Sequence, residues 1–394
     1  MRILHVGKFY PPVAGGMERI LQLLCENERP TVDSRVLVAG GGPITTHETY
    51  RGVPVTRVGR FGSIGTVGVC PTFPFWLRRL AGDVNVIHEP NPVALVSAVL
   101  ARPRGRLVVW FHSEVVRPRW KYRVLYRPFL RWVFNRADRI VVSSPKLAEH
   151  AIELEDVQDK CRVIPFGIDI RRFHPTSSVL ARAAELRRHH GAPLVLFVGR
   201  FVPYKGVSVL LRAMVGIEAV AVLVGDGPLR VSLERLTADL TLRDRVRFAG
   251  EVSEDELIAL YHACDILVLP SVTRQEAFGV VQLEAMACGK PVISTSVPSG
   301  VPWVNQHGRT GLVVDPGDVE ALREALAYLL VDADARARWG RQARERVLQE
   351  FTLERMVELT TALYREIRGY QQSVPVALPR PSQPTGPVRP SRLD

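Results

Sequence analysis

Two glutamates separated by seven residues frame the run Glu276-Ala-Phe-Gly-Val-Val-Gln-Leu-Glu284, which follows a predicted strand ending at Pro270 and opens a helix continuing through Met286. At such a helix start the backbone N–H groups of Phe278, Gly279, Val280 and Val281 lack intrahelical partners. They would face a bound anion, with the helix dipole assisting. Glu284, about two turns inside the helix, could accept bonds from ribose hydroxyls, and Glu276, in the loop before it, from sugar hydroxyls. The same residues also fit a plainer account, an acid favoured near a helix start and a solvated face residue. Upstream, Phe197-Val-Gly-Arg200-Phe-Val-Pro-Tyr-Lys205-Gly206 puts two cations on the loop after a strand. Fixed there, Arg200 and Lys205 would neutralise a diphosphate leaving group as its charge develops; two solvated surface charges are the alternative.

Three further loops carry candidates. His112, in Trp110-Phe-His112-Ser-Glu114, follows a predicted strand at a cleft rim, a place that a structural histidine also occupies. Gly15 and Gly16, just before the first helix, would let the backbone approach a phosphate or sugar closely, or simply form a tight turn. Asn91, in His88-Glu-Pro-Asn91-Pro, lies on a third loop of the same edge and is expected on the acceptor side. Asp226, in Gly225-Asp-Gly-Pro228, is a candidate for the ligand and equally ordinary turn chemistry.

These loops need a scaffold that brings them to one edge. Short β-branched runs at Ile3–Val6, Arg35–Ala39, Val84–His88, Leu107–His112 and Arg139–Ser143 alternate with helical patterns, the signature of a parallel sheet covered by helices. The pattern restarts at Leu194–Gly199, Ala219–Gly225, Val246–Ala249, Ile266–Pro270, Pro291–Thr295 and Gly311–Val314. The 394 residues exceed what one core usually supports, so an α/β chain of two Rossmann-like, doubly wound domains is expected. We place the acceptor-side domain at 1–172, with Val163–Phe173 as the hinge, and the donor domain at 173–350. A helix within 351–372 should return to the first domain, and the Pro-, Ser- and Arg-rich stretch 373–394 reads as a flexible tail.

The composition is that of a globular protein. There is no signal-like h-region and no apolar run near 18 residues, and five scattered cysteines match neither a zinc site nor a disulfide framework. A reducing cytoplasm is the expected location. The net charge of +12 calls for an anionic partner. Part of it sits between Val115 and Ala137, where Arg117, Arg119, Lys121, Arg123, Arg127, Arg131 and Arg136 occur without an acid. Trp120, Tyr126, Phe129, Trp132 and Val133 interleave with them. The composition suits an amphipathic helix on anionic lipid, at the inner face of the plasma membrane. Pro118 and Pro128 and packing of the aromatics into the core give a second account. Nucleic acid is not expected as a partner.

Taken in order and spacing, Gly15-Gly16, Gly199-Arg200 to Lys205-Gly206, Gly225-Asp226-Gly227-Pro228, the paired glutamates and Glu284-Ala-Met-Ala-Cys-Gly289-Lys-Pro-Val resemble the retaining glycosyltransferases of family 4, over most of the chain. The resemblance implies the GT-B fold, with the two domains facing across a cleft. It implies a nucleotide-sugar donor whose diphosphate meets Arg200 and Lys205, whose sugar meets Glu276 and His112, and whose ribose meets Glu284. Asp226 and Val252 should lie near the base. Relatives carry His-Ser-Asp or His-Asp where this chain has His112-Ser-Glu114. The Asp-x-Asp pair that holds a metal in many other glycosyltransferases has its spacing only at Asp332-Ala-Asp334, between predicted helices, so neither metal nor other cofactor is expected. The stretch Pro298–Gly308 with Glu-Ala-Phe-Gly is most similar to bacterial mannosyltransferases of surface-polysaccharide assembly, which implies GDP-mannose and a lipid-linked acceptor. A UDP-sugar with a soluble acceptor, or a GT-B nucleotide-sugar epimerase, are the alternatives.

Overall fold

Ile3, Leu4 and Val6 of β1 (Arg2–Val6) are fully buried, as a strand covered on both faces requires. In the computed structural model, which describes residues 1–13, 15–64, 67–114, 124, 126–191 and 193–369, β1 lies inside an eight-stranded sheet. With β2 (Asp33–Ala39), β3 (Thr46–Tyr50) and β4 (Val53–Val58) it builds one half. A separate hairpin of β5 (Ser63–Ile64) and β6 (Val67–Gly68) follows, and β7 (Val84–Glu89), β8 (Arg106–Phe111), β9 (Arg139–Val142) and β10 (Cys161–Val163) form the other half. The order is β10-β9-β8-β7-β1-β2-β4-β3, parallel throughout except for β3 against β4. The sequence pattern misses β3, β4 and β10. THETY on β3 is an exposed polar edge, and β10 has only three half-buried residues.

The helices of this unit are α1 (Gly16–Glu28), α2 (Phe73–Leu80), α3 (Pro92–Ala101), α4 (Arg127–Arg136) and α5 (Pro145–His150). The second unit contains α6 (Ser177–His190), α7 (Val207–Ala213), α8 (Arg230–Asp239), α9 (Glu254–Ala263), α10 (Val280–Ala287), α11 (Val301–Val304), α12 (Val319–Val331) and α13 (Ala333–Glu350). Its six strands, β11 (Leu194–Val198), β12 (Val220–Val224), β13 (Val246–Gly250), β14 (Ile266–Leu269), β15 (Val292–Thr295) and β16 (Gly311–Val314), run in the order β13-β12-β11-β14-β15-β16, all parallel. Counted within the unit this is 3-2-1-4-5-6, so the strand order reverses between β11 and β14. Ligands of open α/β sheets bind beyond the carboxyl ends of the strands at such a reversal. The first sheet reverses between β1 and β7.

The chain crosses between the units twice, along 164–173 and along Phe351–Leu353. The crossings bond to each other: Ile168 N–H donates to Phe351 O at 3.0 Å and Leu353 N–H to Ile168 O at 2.9 Å. Gly167 is needed here, because a Cβ would overlap the Thr352 carbonyl. The last helix, α14 (Leu353–Ile367), packs against α1, and Arg139 of the first sheet pairs with its Glu366 at 2.8 Å. The proposed tail, 373–394, lies outside the described residues.

Candidate active site

The reversal in the second sheet gathers the cation loop and the first glutamate. After β11 the chain makes a short 3-10 turn, Pro203–Lys205, and leaves it through Gly206 at φ +66°. A Cβ on Gly206 would overlap the Pro270 carbonyl at the end of β14, so only glycine lets the two loops touch. The touch presses Lys205 onto the next loop, where Nζ lies 2.5 Å from Glu276 Oε2. Ser271 Oγ donates to the same oxygen at 3.2 Å, and Lys205 and Glu276 are both buried. Arg200 stands exposed on the same loop as Lys205. Asp226 is turned to the support of that loop. Its Oδ1 accepts from Gly227 N–H at 2.6 Å, its carbonyl accepts from Phe201 N–H at 2.8 Å, and a Cβ on Gly227 would stand 2.6 Å from Phe201 O. The glycines of this turn serve backbone packing.

Gly279, at φ +72°, is the N-cap of α10, so Val280 and Val281 head the helix. Phe278 turns its ring inward, against Phe166, Trp303 and Phe351. Glu284 is the fifth helical residue, just over one turn in rather than two. Its Oε2 accepts from Tyr261 O–H at 2.5 Å. Burial pushes the Glu284 carboxyl up, while the Tyr261 bond and then Arg172 and Arg19 pull it down. Val252, beyond β13, is half-buried against the large core. Sequence reading missed Tyr261, Arg19 and Arg172. Tyr261 sits on the buried face of α9, and the two arginines come from α1 and the crossing segment, far away in sequence.

In the first unit His112 follows β8 and is 6% exposed, stacked between Trp110 and Phe166 with His88 alongside. Its Nε2 lies 2.9 Å from His88 Nδ1, and burial lowers its pKa to about 3. Gly15 is the N-cap of α1 in extended conformation and Gly16 its first residue. A Cβ on Gly16 would meet nothing within 4 Å, so no neighbouring residue explains glycine there. Asn91 is 1% exposed and its Oδ1 caps α3, accepting from Ala94 N–H at 3.2 Å, a structural role that accounts for the residue. Glu114 crosses to the second unit, pairing with Arg274 Nε at 2.6 Å. Arg274, in the loop before Glu276, carried no sequence signal beyond its place.

Arg117, Arg119, Lys121 and Arg123, with Trp120, lie outside the described residues. Over Arg127–Arg136 the apolar face is not free for lipid: Leu130, Val133 and Phe134 are buried in the first core, with Phe129 and Trp132 packed against it and Tyr126 buried beside them. Arg127 and Arg131 are exposed, and Arg131 pairs with Asp156 at 3.4 Å. Among the described residues no helix is long and apolar enough to cross a membrane. Asp332 caps α13 through Ala335 N–H at 2.8 Å. Among the described residues, the group of metal-ligand type with its atoms mutually within 4.8 Å is His5, Cys25 and Glu28, buried under the first sheet.

Two doubly wound sheets that meet at the carboxyl ends of their strands, with cations, a carboxylate and a helix end on one side and a histidine on the other, have the plan of the GT-B glycosyltransferases. The fold is that of HepE from Anabaena, solved in complex with UDP (TM-score 0.76, 22% identity, 93% of this chain and 100% of that one). Sucrose-phosphate synthase from Thermosynechococcus elongatus is similarly alike (TM-score 0.76, 23% identity, 94% and 100%). The glycosyl transferases group 1 profile matches residues 181–346 and the glycosyltransferase family 4 profile residues 14–172. The chain is 34% identical to D-rhamnosyltransferase WbpZ of Pseudomonas aeruginosa over 89% of its length and 92% of that protein's. It is 31% identical to O-antigen chain mannosyltransferase C of Escherichia coli, over 92% and 98%. The chain belongs to glycosyltransferase family 4, and it is a glycosyltransferase.

Proposed function

We propose that the enzyme transfers a mannosyl residue from GDP-mannose to a lipid-linked saccharide in surface-polysaccharide assembly, with retention of configuration and without a metal ion. The observation that carries the donor half of this reading is the Lys205–Glu276 contact of 2.5 Å at the strand-order reversal, beside the start of α10. One group suits the diphosphate and its partner suits sugar hydroxyls, so a donor bound there would draw the pair apart and take a share of each. Arg200, Lys205 and the N–H groups of Val280 and Val281 would stabilise charge building on the departing diphosphate. Glu284, with Tyr261 holding one oxygen, would take the ribose through the other. The space in front of Gly16 supports a close approach of the α1 N-terminus to the donor. The sugar carbon would acquire positive character beside His112 while the acceptor hydroxyl attacks from the face the diphosphate leaves. A diphosphate oxygen would take the proton.

The mannosyl and lipid parts draw on similarity. The relatives include the mannosyltransferase named above and a GDP-mannose-dependent phosphatidylinositol monomannoside mannosyltransferase of Mycobacterium tuberculosis, 31% identical over 71% of this chain. The test is a thermal-shift panel of GDP, UDP, dTDP and their sugars, followed by product analysis. GDP-mannose should stabilise most, with the effect lost in Lys205→Ala. A stronger response to a UDP-sugar would sink the donor assignment, and conversion of the donor with no acceptor present would favour an epimerase.

A further inference from the structure

The reaction as read above uses one histidine, yet the first sheet buries three in a line. His112 Nε2 lies 2.9 Å from His88 Nδ1, His88 Nε2 lies 3.1 Å from His5 Nδ1, and His5 Nε2 lies 2.5 Å from Glu28 Oε1. Their strands β8, β7 and β1 are neighbours in the sheet, and Glu28 ends α1, the helix whose other end holds Gly16. His5, His88 and Glu28 have no exposed surface. Histidines inside otherwise apolar strands need partners, and here each is the partner of the next.

With all three rings neutral, the order of the chain sets its protons. A carboxylate only accepts, and Glu28 Oε1 also receives Ser34 Oγ–H at 2.6 Å, so His5 must donate from Nε2. A neutral imidazole has one N–H, which leaves His5 Nδ1 a bare acceptor. His88 then donates from Nε2 and is bare at Nδ1, and His112 donates from Nε2 in turn. The nitrogen left over is His112 Nδ1, carrying a lone pair. Burial lowers the basicity of both His88 and His112, consistent with neutral rings.

We propose that Glu28, His5 and His88 are positioning residues that hold His112 in its Nε2–H tautomer, so that it offers the cleft an acceptor nitrogen. The consequence for the reaction rests on the reading that His112 meets the donor sugar. An Nδ1 lone pair accepts a bond from a sugar hydroxyl and sits favourably beside positive charge on the sugar carbon; the other tautomer would present an N–H dipole of the wrong sign.

The test uses the full chain labelled with ¹⁵N-histidine, with resonances assigned through His112→Phe, alongside two variants. His88→Phe keeps a ring to stack on Trp110 and cuts the chain, and Glu28→Leu removes its anchor and keeps every ring. The wild type should show His5, His88 and His112 protonated at Nε2. Both variants should show His112 as a tautomer mixture, with kcat lower by about tenfold or more, as expected for losing a charge-anchored bond, and donor Kd within about twofold. An Nδ1–H tautomer at His112 in the wild type overturns the proposal even if neither variant folds. So does an unchanged His112 tautomer in both, or a stoichiometric metal ion retained by His5, Cys25 and Glu28, which would occupy the His5 nitrogen. If His112→Phe leaves kcat unchanged, the functional role fails while the nucleotide panel still judges the donor site by itself.

Discussion

Removing Lys205 separates stability from chemistry, because its partner is buried with it. At 2.5 Å and an effective dielectric near 20 the attraction to Glu276 is about 7 kcal/mol before desolvation of the two groups is set against it. What a substitution reveals is the cost of stranding the partner. Lys205→Ala leaves the Glu276 carboxylate in a site where its side chain is 10% exposed, a loss of about 3–5 kcal/mol for a buried pair. Ser271 Oγ, still 3.2 Å from Oε2, brings the expectation to the lower end, about 3 kcal/mol. Adding Glu276→Gln removes the stranded charge, so the double variant should recover most of that loss in urea unfolding. Transfer behaves differently. A fixed donor aimed at developing charge is worth about 10²–10³ in kcat. Measured at saturating donor, the double variant should therefore be slower than Glu276→Gln alone by about a hundredfold. A rate within about threefold of Glu276→Gln would refute a role for Lys205 at the diphosphate, whatever the stability data say.

Exchanging the charges of the pair across the cleft, Glu114→Arg with Arg274→Glu, should restore part of the kcat/KM lost by either change alone; with Arg274 half-exposed, the coupling in a double-mutant cycle should be about 1 kcal/mol. The acid sensitivity of the fold is masked. His112, lowered from 6.5 to about 3, makes stability fall as pH drops below 6.5, while Glu89, raised from 4.5 to about 7, makes it rise as pH drops from 7 towards 4.5. Glu89→Gln removes the second effect, so between pH 6.5 and 4.5 its unfolding free energy should fall more steeply than that of the wild type by about 1.4 kcal/mol per pH unit, read from urea curves. Gly206→Ala, at φ +66° with its Cβ against the Pro270 carbonyl, should cost at least about 2 kcal/mol in the same assay and lower donor affinity, because the cation loop must lift from β14.

What could be read in the sequence follows from the range of the interactions. Strands such as Leu194–Val198, buried at every residue, are visible as apolar runs, and so is the loop that ends each of them. The order in which the strands pair is not local, yet it decides that the loops after β11 and β14 meet and hence that Lys205 bonds Glu276. The glycines show the same limit. Gly206 and Gly227 are legible as turn residues, whereas the reason for each, a carbonyl or a backbone strand from another loop, belongs to the packed chain. Over Arg127–Arg136 composition alone cannot say whether an apolar face meets lipid or core, and there it meets core. His5 and His88 left a signal that went unused, a polar ring in the middle of an apolar strand.

The cleft has an electrical direction that suits the reaction proposed for it. The second unit presents Arg200, Lys205 and the start of α10, all of which favour negative charge; the first presents His112, neutral and, on the inference above, bare at the nitrogen left free. Pulling a diphosphate from a sugar carbon separates charge along that line. The geometry must also admit and release a nucleotide, and the connections between the units show how that is compatible with rigidity. The two crossings are zipped by Ile168, and Gly167 leaves no side chain between them, so the pivot has little freedom to slide. At the cleft the units are joined by Glu114 and Arg274, an ion pair with one partner half-exposed and worth about 1 kcal/mol. Widening the cleft to admit a nucleotide would break that pair while the bonds of the pivot stay in place.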